Sequence, residues 1–228
     1  MPHTLRNKAQ ITKSKKGNAP HDTCTARLYT SLLRISGIIG LGLTLFALAP
    51  VSMAAEQDRA RAFTIFAGRY TIETTGDSAN PFHTNHENSY VAGIAYAHDL
   101  RTLARRGATG WETGFAGRSG ERVSAEVWGG VYVRHRGIPV FGILIKPALT
   151  VGLSAVDRAI GTEREREARN NGDARLLYYF GPELALSSAR QRDWELTYRL
   201  HHRSGGMKTL GNMSEGHNAN TIGLRRRF

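Results

Sequence analysis

After Glu56 the chain alternates apolar and polar residues with a period of two, and nowhere there does it approach 18 apolar residues in a row. Such alternation belongs to two-faced strands rather than to helices of 3.6-residue period. No transmembrane helix fits this part of the sequence, so a membrane span here has to be a closed barrel, in which every backbone group finds a partner. Eight segments can be read: Arg61–Glu73, Ser89–Asp99, Ala108–Arg118, Val123–Arg136, Pro139–Ala155, Ala174–Ser187, Asp193–Arg203 and Gly216–Phe228. Each is close to the ~10 residues that a tilted strand needs to cross a bilayer. The expected fold is all-β, an eight-stranded antiparallel up-and-down transmembrane β-barrel. A soluble sandwich or lipocalin-like barrel would share the short alternating strands, so the two ends of the chain have to discriminate.

At the N-terminus, residues 1–34 hold seven Lys/Arg and one acid, Asp22. An uncharged run from Ile35 to Ala49 follows, then Ser52-Met53-Ala54. A basic segment, an apolar segment too short for the ~20 residues of a spanning helix, and small residues at a cleavage step describe a secretory signal peptide. Residues 1–54 are therefore expected to be removed, leaving 55–228 as one barrel domain. Cys24 is the only cysteine, so the mature part has neither a disulfide nor thiolate chemistry.

The formal charge is +12. Seven bases and one acid precede Ala55, and 24 bases and 18 acids follow, so each part carries +6. Of the later bases 22 are Arg, the residue suited to bidentate phosphate contact. For an exported protein the polyanion at hand is lipopolysaccharide, and no nucleic-acid partner is expected. The expected connectors alternate in kind. With the N-terminus periplasmic, Thr74–Asn88, Val156–Asp173 and Ser204–Glu215 lie outside. Arg136-Gly137-Ile138-Pro139 is a short periplasmic turn, whereas Leu100–Gly107 is longer than such turns usually are. The run Glu163-Arg164-Glu165-Arg166-Glu167 reads either as a lipopolysaccharide clamp or as a solvated loop or short helical turn with local ion pairs.

Parity on the seventh segment carries the chemistry. Trp194, Leu196, Tyr198 and Leu200 share one face; Glu195, Thr197, Arg199 and His201 share the other. The apolar face of a membrane strand meets lipid, and His202 and Ser204 continue that register at the outer end. Polar groups facing lipid are functional candidates by default. Residues two apart on one face stand about 6–7 Å apart along the strand, so an imidazole there can lean toward the hydroxyl and take its proton during attack on an ester. Asn220 on the last segment is expected to reach His202 and fix its tautomer, with Asn218 one step further out. Glu215, in the loop before that segment, is the nearest carboxylate.

The residues His202-Arg203-Ser204-Gly205, a Gly/Asn loop, and the closing Gly223-Leu224-Arg225-Arg226-Arg227-Phe228 resemble the outer-membrane lipid A 3-O-deacylase family, also called acyloxyacyl hydrolase-like. A last strand that stops on an aromatic is likewise how outer-membrane barrels end. The resemblance spans Gly181 to Phe228. It implies an eight-stranded barrel with a Ser/His/acid triad on its lipid-facing surface, hydrolysing the acyl ester at the 3-position of lipid A without metal or other cofactor. His202 matches the family's base and Ser204 its nucleophile. Two positions depart from the family: Gly205 stands where an Asn common in oxyanion binding is found, and Asn220 falls by register where the triad has Glu.

Together these readings lead to an outer-membrane hydrolase of lipid A. Ser204 would be the nucleophile, His202 the base, Asn220 or Glu215 the orienting group, and the Gly205 and Gly206 amides the oxyanion donors. Its partners would be lipopolysaccharide in the outer leaflet and the outer-membrane assembly machinery, with no metal and no cofactor. The competing reading is a non-catalytic structural or adhesive barrel.

Overall fold

The computed structural model describes residues 59–103 and 106–228. The leader expected at 1–54 lies outside the described residues. Among the described residues nine strands form one sheet: β1 (Arg61–Thr71), β2 (His86–Leu103), β3 (Gly107–Ser119), β4 (Val123–His135), β5 (Ile138–Val140), β6 (Ile143–Val156), β7 (Leu176–Ser188), β8 (Trp194–Ser204) and β9 (Asn218–Arg227). Every pairing is antiparallel between sequence neighbours, with two exceptions that close the ring: β1 pairs with β9, and β4 with β6. Eight long strands thus make a closed up-and-down barrel, and β5 is a short flange at the edge.

The eight expected segments all became strands, with two differences. The fifth segment is broken. Phe141 and Gly142 take φ of 48° and 83°, and Ile138–Val140 folds back on Ile143–Ile145. Two consecutive positive φ values are what a tight type I′ hairpin requires. Pro139 is tolerated because β5 is an edge strand with no further ladder to feed. The second difference is the connector expected to be long. The β2–β3 ladder passes a bulge between Asp99 and Arg101 and continues to the Leu103–Gly107 pair, so the connector shrinks to 104–106. The ends of the barrel therefore differ: one carries only short connections, and the other carries connectors 72–85, 157–175 and 205–217 beside the short β3–β4 turn at 120–122.

The burial pattern is the inverse of a soluble protein's. Ile65, Phe115, Val131, Leu153, Leu196 and Ile222 are exposed on the outer face, while Glu112, Glu126, Glu183, Glu195, Arg199 and Arg225 are buried inside. Eight strands leave room for side chains but not for a channel, and ions in such an interior must pair. They do: Arg199 holds Glu112 at 2.5 Å and Glu183 at 2.6 Å, Arg225 holds Glu183 at 2.7 Å, and Lys146 holds Glu195 at 2.8 Å. Trp128, Tyr179, Tyr70 and Phe66 pack between the ion pairs.

The second long connector contains a helix, α2 (Gly161–Asn170), which follows the single turn α1 (Thr75–Ser78) in the first. Asn171 ends α2 in the left-handed conformation, φ 47°, a common helix stop. The Glu/Arg run is therefore helical, and not all of it is solvated. Glu163 is fully buried at the mouth of the barrel, between Arg118 of β3 (2.6 Å) and Arg203 of β8. The helix lies across the long-loop end of the barrel, and Glu163 fastens it there.

Candidate functional site

Parity on β8 places Glu195, Thr197, Arg199, His201 and Arg203 inside, and Leu196, Tyr198, Leu200, His202 and Ser204 outside. Leu200 and His202 are nonetheless only 4% and 7% exposed. For His202 the first long connector folds over the outer wall: the Thr75 hydroxyl is 3.2 Å from Nδ1 and 3.4 Å from Nε2. The same hydroxyl lies 3.3–3.4 Å from the Glu215 carboxylate oxygens, so Glu215 reaches the imidazole through Thr75.

The group directly on the imidazole is Asn218. Its Oδ1 is 2.5 Å from His202 Nδ1, and its Nδ2 donates to the Glu73 carbonyl at 2.9 Å. That second bond fixes which way the amide faces. With an acceptor oxygen against it, Nδ1 carries the ring proton, and Nε2 is left with its lone pair. This is the tautomer a general base needs.

Asn220 is not at the imidazole. The β8–β9 ladder pairs His202 with Asn218 and Leu200 with Asn220, and it is extended beyond by Arg203 N–H to the His217 carbonyl and Gly216 N–H to the Arg203 carbonyl. Asn220 Oδ1 instead accepts the Tyr198 hydroxyl at 2.7 Å.

Ser204 is the last residue of β8 and leads into the third long connector. Its hydroxyl donates to the Ser214 carbonyl at 2.9 Å and accepts the Gly206 N–H at 3.2 Å. Gly206 has φ +58°, which a glycine adopts freely and which turns its N–H onto Ser204. Gly205 has a different constraint: a Cβ there would stand 1.8 Å from the Met213 carbonyl oxygen. No Asn fits at that position in this loop, so the departure from the family pattern has a packing reason. Ser204 and His202 are thus on one face and adjacent, with the hydroxyl turned to the loop rather than to Nε2. Among the described residues no three His, Cys, Asp or Glu side chains converge as metal ligands.

Sequence reasoning missed Thr75 as part of this cluster, and it gave Asn218 second place. Thr75 is 127 residues from His202, and no local pattern announces the contact. Asn218 had a signal, its parity, but parity does not fix register.

No family model matches the chain, and no curated protein does. Among solved structures it is similar to the outer membrane enzyme PagL, with a TM-score of 0.52 and 10% identity over 73% of this chain and 99% of that one. It also matches the N-terminal β-barrel domain of Pseudomonas aeruginosa OprF (0.42, 10%, 74% and 96%) and Neisserial surface protein A (0.47, 8%, 75% and 98%). At 10% identity the likeness to PagL is one of fold, the closed eight-stranded antiparallel barrel.

Proposed function

We propose that this chain is an exported outer-membrane hydrolase that removes the ester-linked 3-position acyl chain of lipid A. The single observation that carries the reading is the Asn218 amide oxygen on His202 Nδ1, which leaves the Nε2 lone pair to serve as a base on the outer face of β8, with the Thr75 hydroxyl 3.4 Å away and Ser204 two residues along the same face. An amide as third member has a counterpart in the Cys-His-Asn proteases.

For attack, the Ser204 hydroxyl leaves the Ser214 carbonyl and turns to Nε2. Its proton passes to the imidazole as Oγ bonds to the ester carbonyl carbon. The oxyanion is met by main-chain N–H groups at Gly205 and Gly206. Collapse expels the sugar 3-oxygen, which takes the proton back from the imidazolium, and water then releases the acyl group from Ser204 by the same steps. The exposed apolar outer face suits a bilayer, and the substrate would approach laterally within the outer leaflet.

One observation favours the other class. The Ser204 hydroxyl donates to a loop carbonyl, as it would in a purely structural strand end. Purified protein in detergent, incubated with several lipid A types and assayed by mass spectrometry, separates the two. Release of a 3-hydroxy fatty acid by wild type and not by Ser204→Ala supports the hydrolase. No release from any lipid A leaves the structural barrel.

A further inference from the structure

Arg166 of α2 carries a cation into the site, and it meets no carboxylate there. Its partners are three main-chain carbonyls: Nη1 donates to Gly216 at 2.8 Å, and Nη2 to Ile72 at 3.2 Å and Glu73 at 3.1 Å. Among the described residues no carboxylate lies within ion-pair distance of it, although Glu165 and Glu167 flank it in sequence. Arginine normally seeks a carboxylate or phosphate for its fork. Spending it on three neutral carbonyls calls for a reason in what those carbonyls do.

The Glu73 carbonyl supplies one. It accepts from Arg166 and also from Asn218 Nδ2 at 2.9 Å. Asn218 presents its other end, Oδ1, to His202 Nδ1 at 2.5 Å. The Gly216 carbonyl, also held by Arg166, lies two residues before Asn218, where the chain enters β9. One guanidinium therefore ties the start of the β1–β2 connector to the start of β9, on either side of the amide that faces the imidazole.

From this we infer that Arg166 is a positioning residue: through the Glu73 carbonyl it holds the Asn218 amide in the orientation that keeps the proton on His202 Nδ1 and the lone pair on Nε2. Removing it frees the Glu73 carbonyl to move and the Asn218 amide to turn over. An amide turned over offers N–H to Nδ1 and drives the ring to the opposite tautomer, with the proton on Nε2. The helix that closes the barrel mouth is thereby wired to the outer wall. The inference about the ring stands on hydrogen bonds alone; its bearing on catalysis rests on the hydrolase reading above.

The test uses full-length mature protein, folded in detergent micelles with ¹⁵N-labelled histidine. His202 is assigned by its loss in His202→Ala, and folding is checked by heat-modifiable migration. Wild type should show a protonated Nδ1 and a bare Nε2. Arg166→Met should shift His202 toward the Nε2–H tautomer, as Asn218→Ala should. In deacylation it should lower kcat roughly 10-fold or more with KM unchanged, because remote orientation acts on the chemical step. Arg166→Lys keeps the cation but not the fork, and should lie between. A His202 tautomer unmoved in Arg166→Met, with Asn218→Ala moving it, overturns the inference. If Arg166→Met does not assemble, Arg166→Lys carries the test, and an unmoved tautomer there overturns it equally. Wild type inactive on every lipid A but with the tautomer shift present removes the hydrolase reading alone.

Discussion

His201 and His202 are neighbours on β8 and live in opposite chemistries. His201 points inward: its Nε2 is 2.9 Å from the fully buried Glu126 carboxylate, its Nδ1 is 3.2 Å from the Tyr179 hydroxyl, and Trp128 packs against its ring. His202 points outward, and what meets it is uncharged: the Asn218 amide oxygen, the Thr75 hydroxyl and the Phe180 ring edge. By inventory, His201 has the better dyad, since it has the acid. It also has no path to a substrate, because every element of the wall closes around it. The lesson is that a His–acid pair inside a small barrel is a packing solution for charge, while the outward-facing imidazole is met by an amide.

The contrast can be broken most directly by deleting the outer pair. Ser204→Ala and His202→Ala are each expected to cut deacylation by about 10⁴-fold or more, with the double variant little worse, because such groups act as a unit. Both should assemble with wild-type heat-modifiable migration. Activity surviving in either one would end the assignment of these two residues.

Breaking the inner pair should do the reverse. Glu126→Gln leaves His201, Arg118 and Arg203 facing a neutral group in the closed interior. Unpairing buried charge costs about 3–5 kcal/mol, readable as a lower unfolding midpoint in urea. Whatever fraction still folds should deacylate at close to the wild-type rate per folded molecule. Full stability with lost activity would mean that the acid inside serves the site outside.

A third comparison separates the two asparagines of β9. Asn218→Ala should lose roughly 10²-fold in kcat, less than the nucleophile or base, since an amide stabilises imidazolium less than a carboxylate does. Asn220→Ala, which loses only the Tyr198 hydroxyl contact, should stay within about threefold of wild type on the same scale. Equal losses at both positions would argue against the register described here.

The smallest effect concerns α2. Burial alone would raise the Glu163 carboxyl, but the Arg118 guanidinium, then Arg203 and His217, outweigh it and hold it below the ordinary carboxylate range. A depressed folded value means the carboxylate stabilises the closed mouth at neutral pH. That contribution starts to fade as pH drops through the ordinary carboxylate range and is gone below the folded value. Next to it, burial lowers His217, with Arg118 adding to that and Glu87 and Glu163 opposing it. Protonation of His217 on acidification therefore also favours opening. Protection factors of the α2 amides, which remove the intrinsic pH dependence of exchange, should fall on acidification toward pH 4 in wild type. In Glu163→Gln they should be low already at pH 7, with the remaining pH response that of His217. Protection factors in wild type that are flat with pH would mean Glu163 does not fasten the helix.

Much of this was legible in the sequence, because a strand's period of two is local information. All eight staves could be placed from alternation, and the same alternation put His202 and Ser204 outside and His201 inside. The closing hairpin at Phe141–Gly142 was less visible, since Gly142 sat inside an otherwise continuous apolar run. What the sequence could not supply is register and the partners reached across loops. Asn218 and Asn220 have identical parity, and only the β8–β9 ladder, with its extension through Arg203, decides which one meets the imidazole. Thr75, which touches His202, and Glu73 and Arg166, which reach Asn218's surroundings, come from connectors far along the chain, and nothing in their neighbours signals these contacts. Glu163 lies in a run that reads as solvated surface, yet two arginines from different staves draw it into the barrel. Face is settled by residue-to-residue geometry within one strand, whereas register and loop contacts depend on which distant backbones and charges the closed barrel brings together.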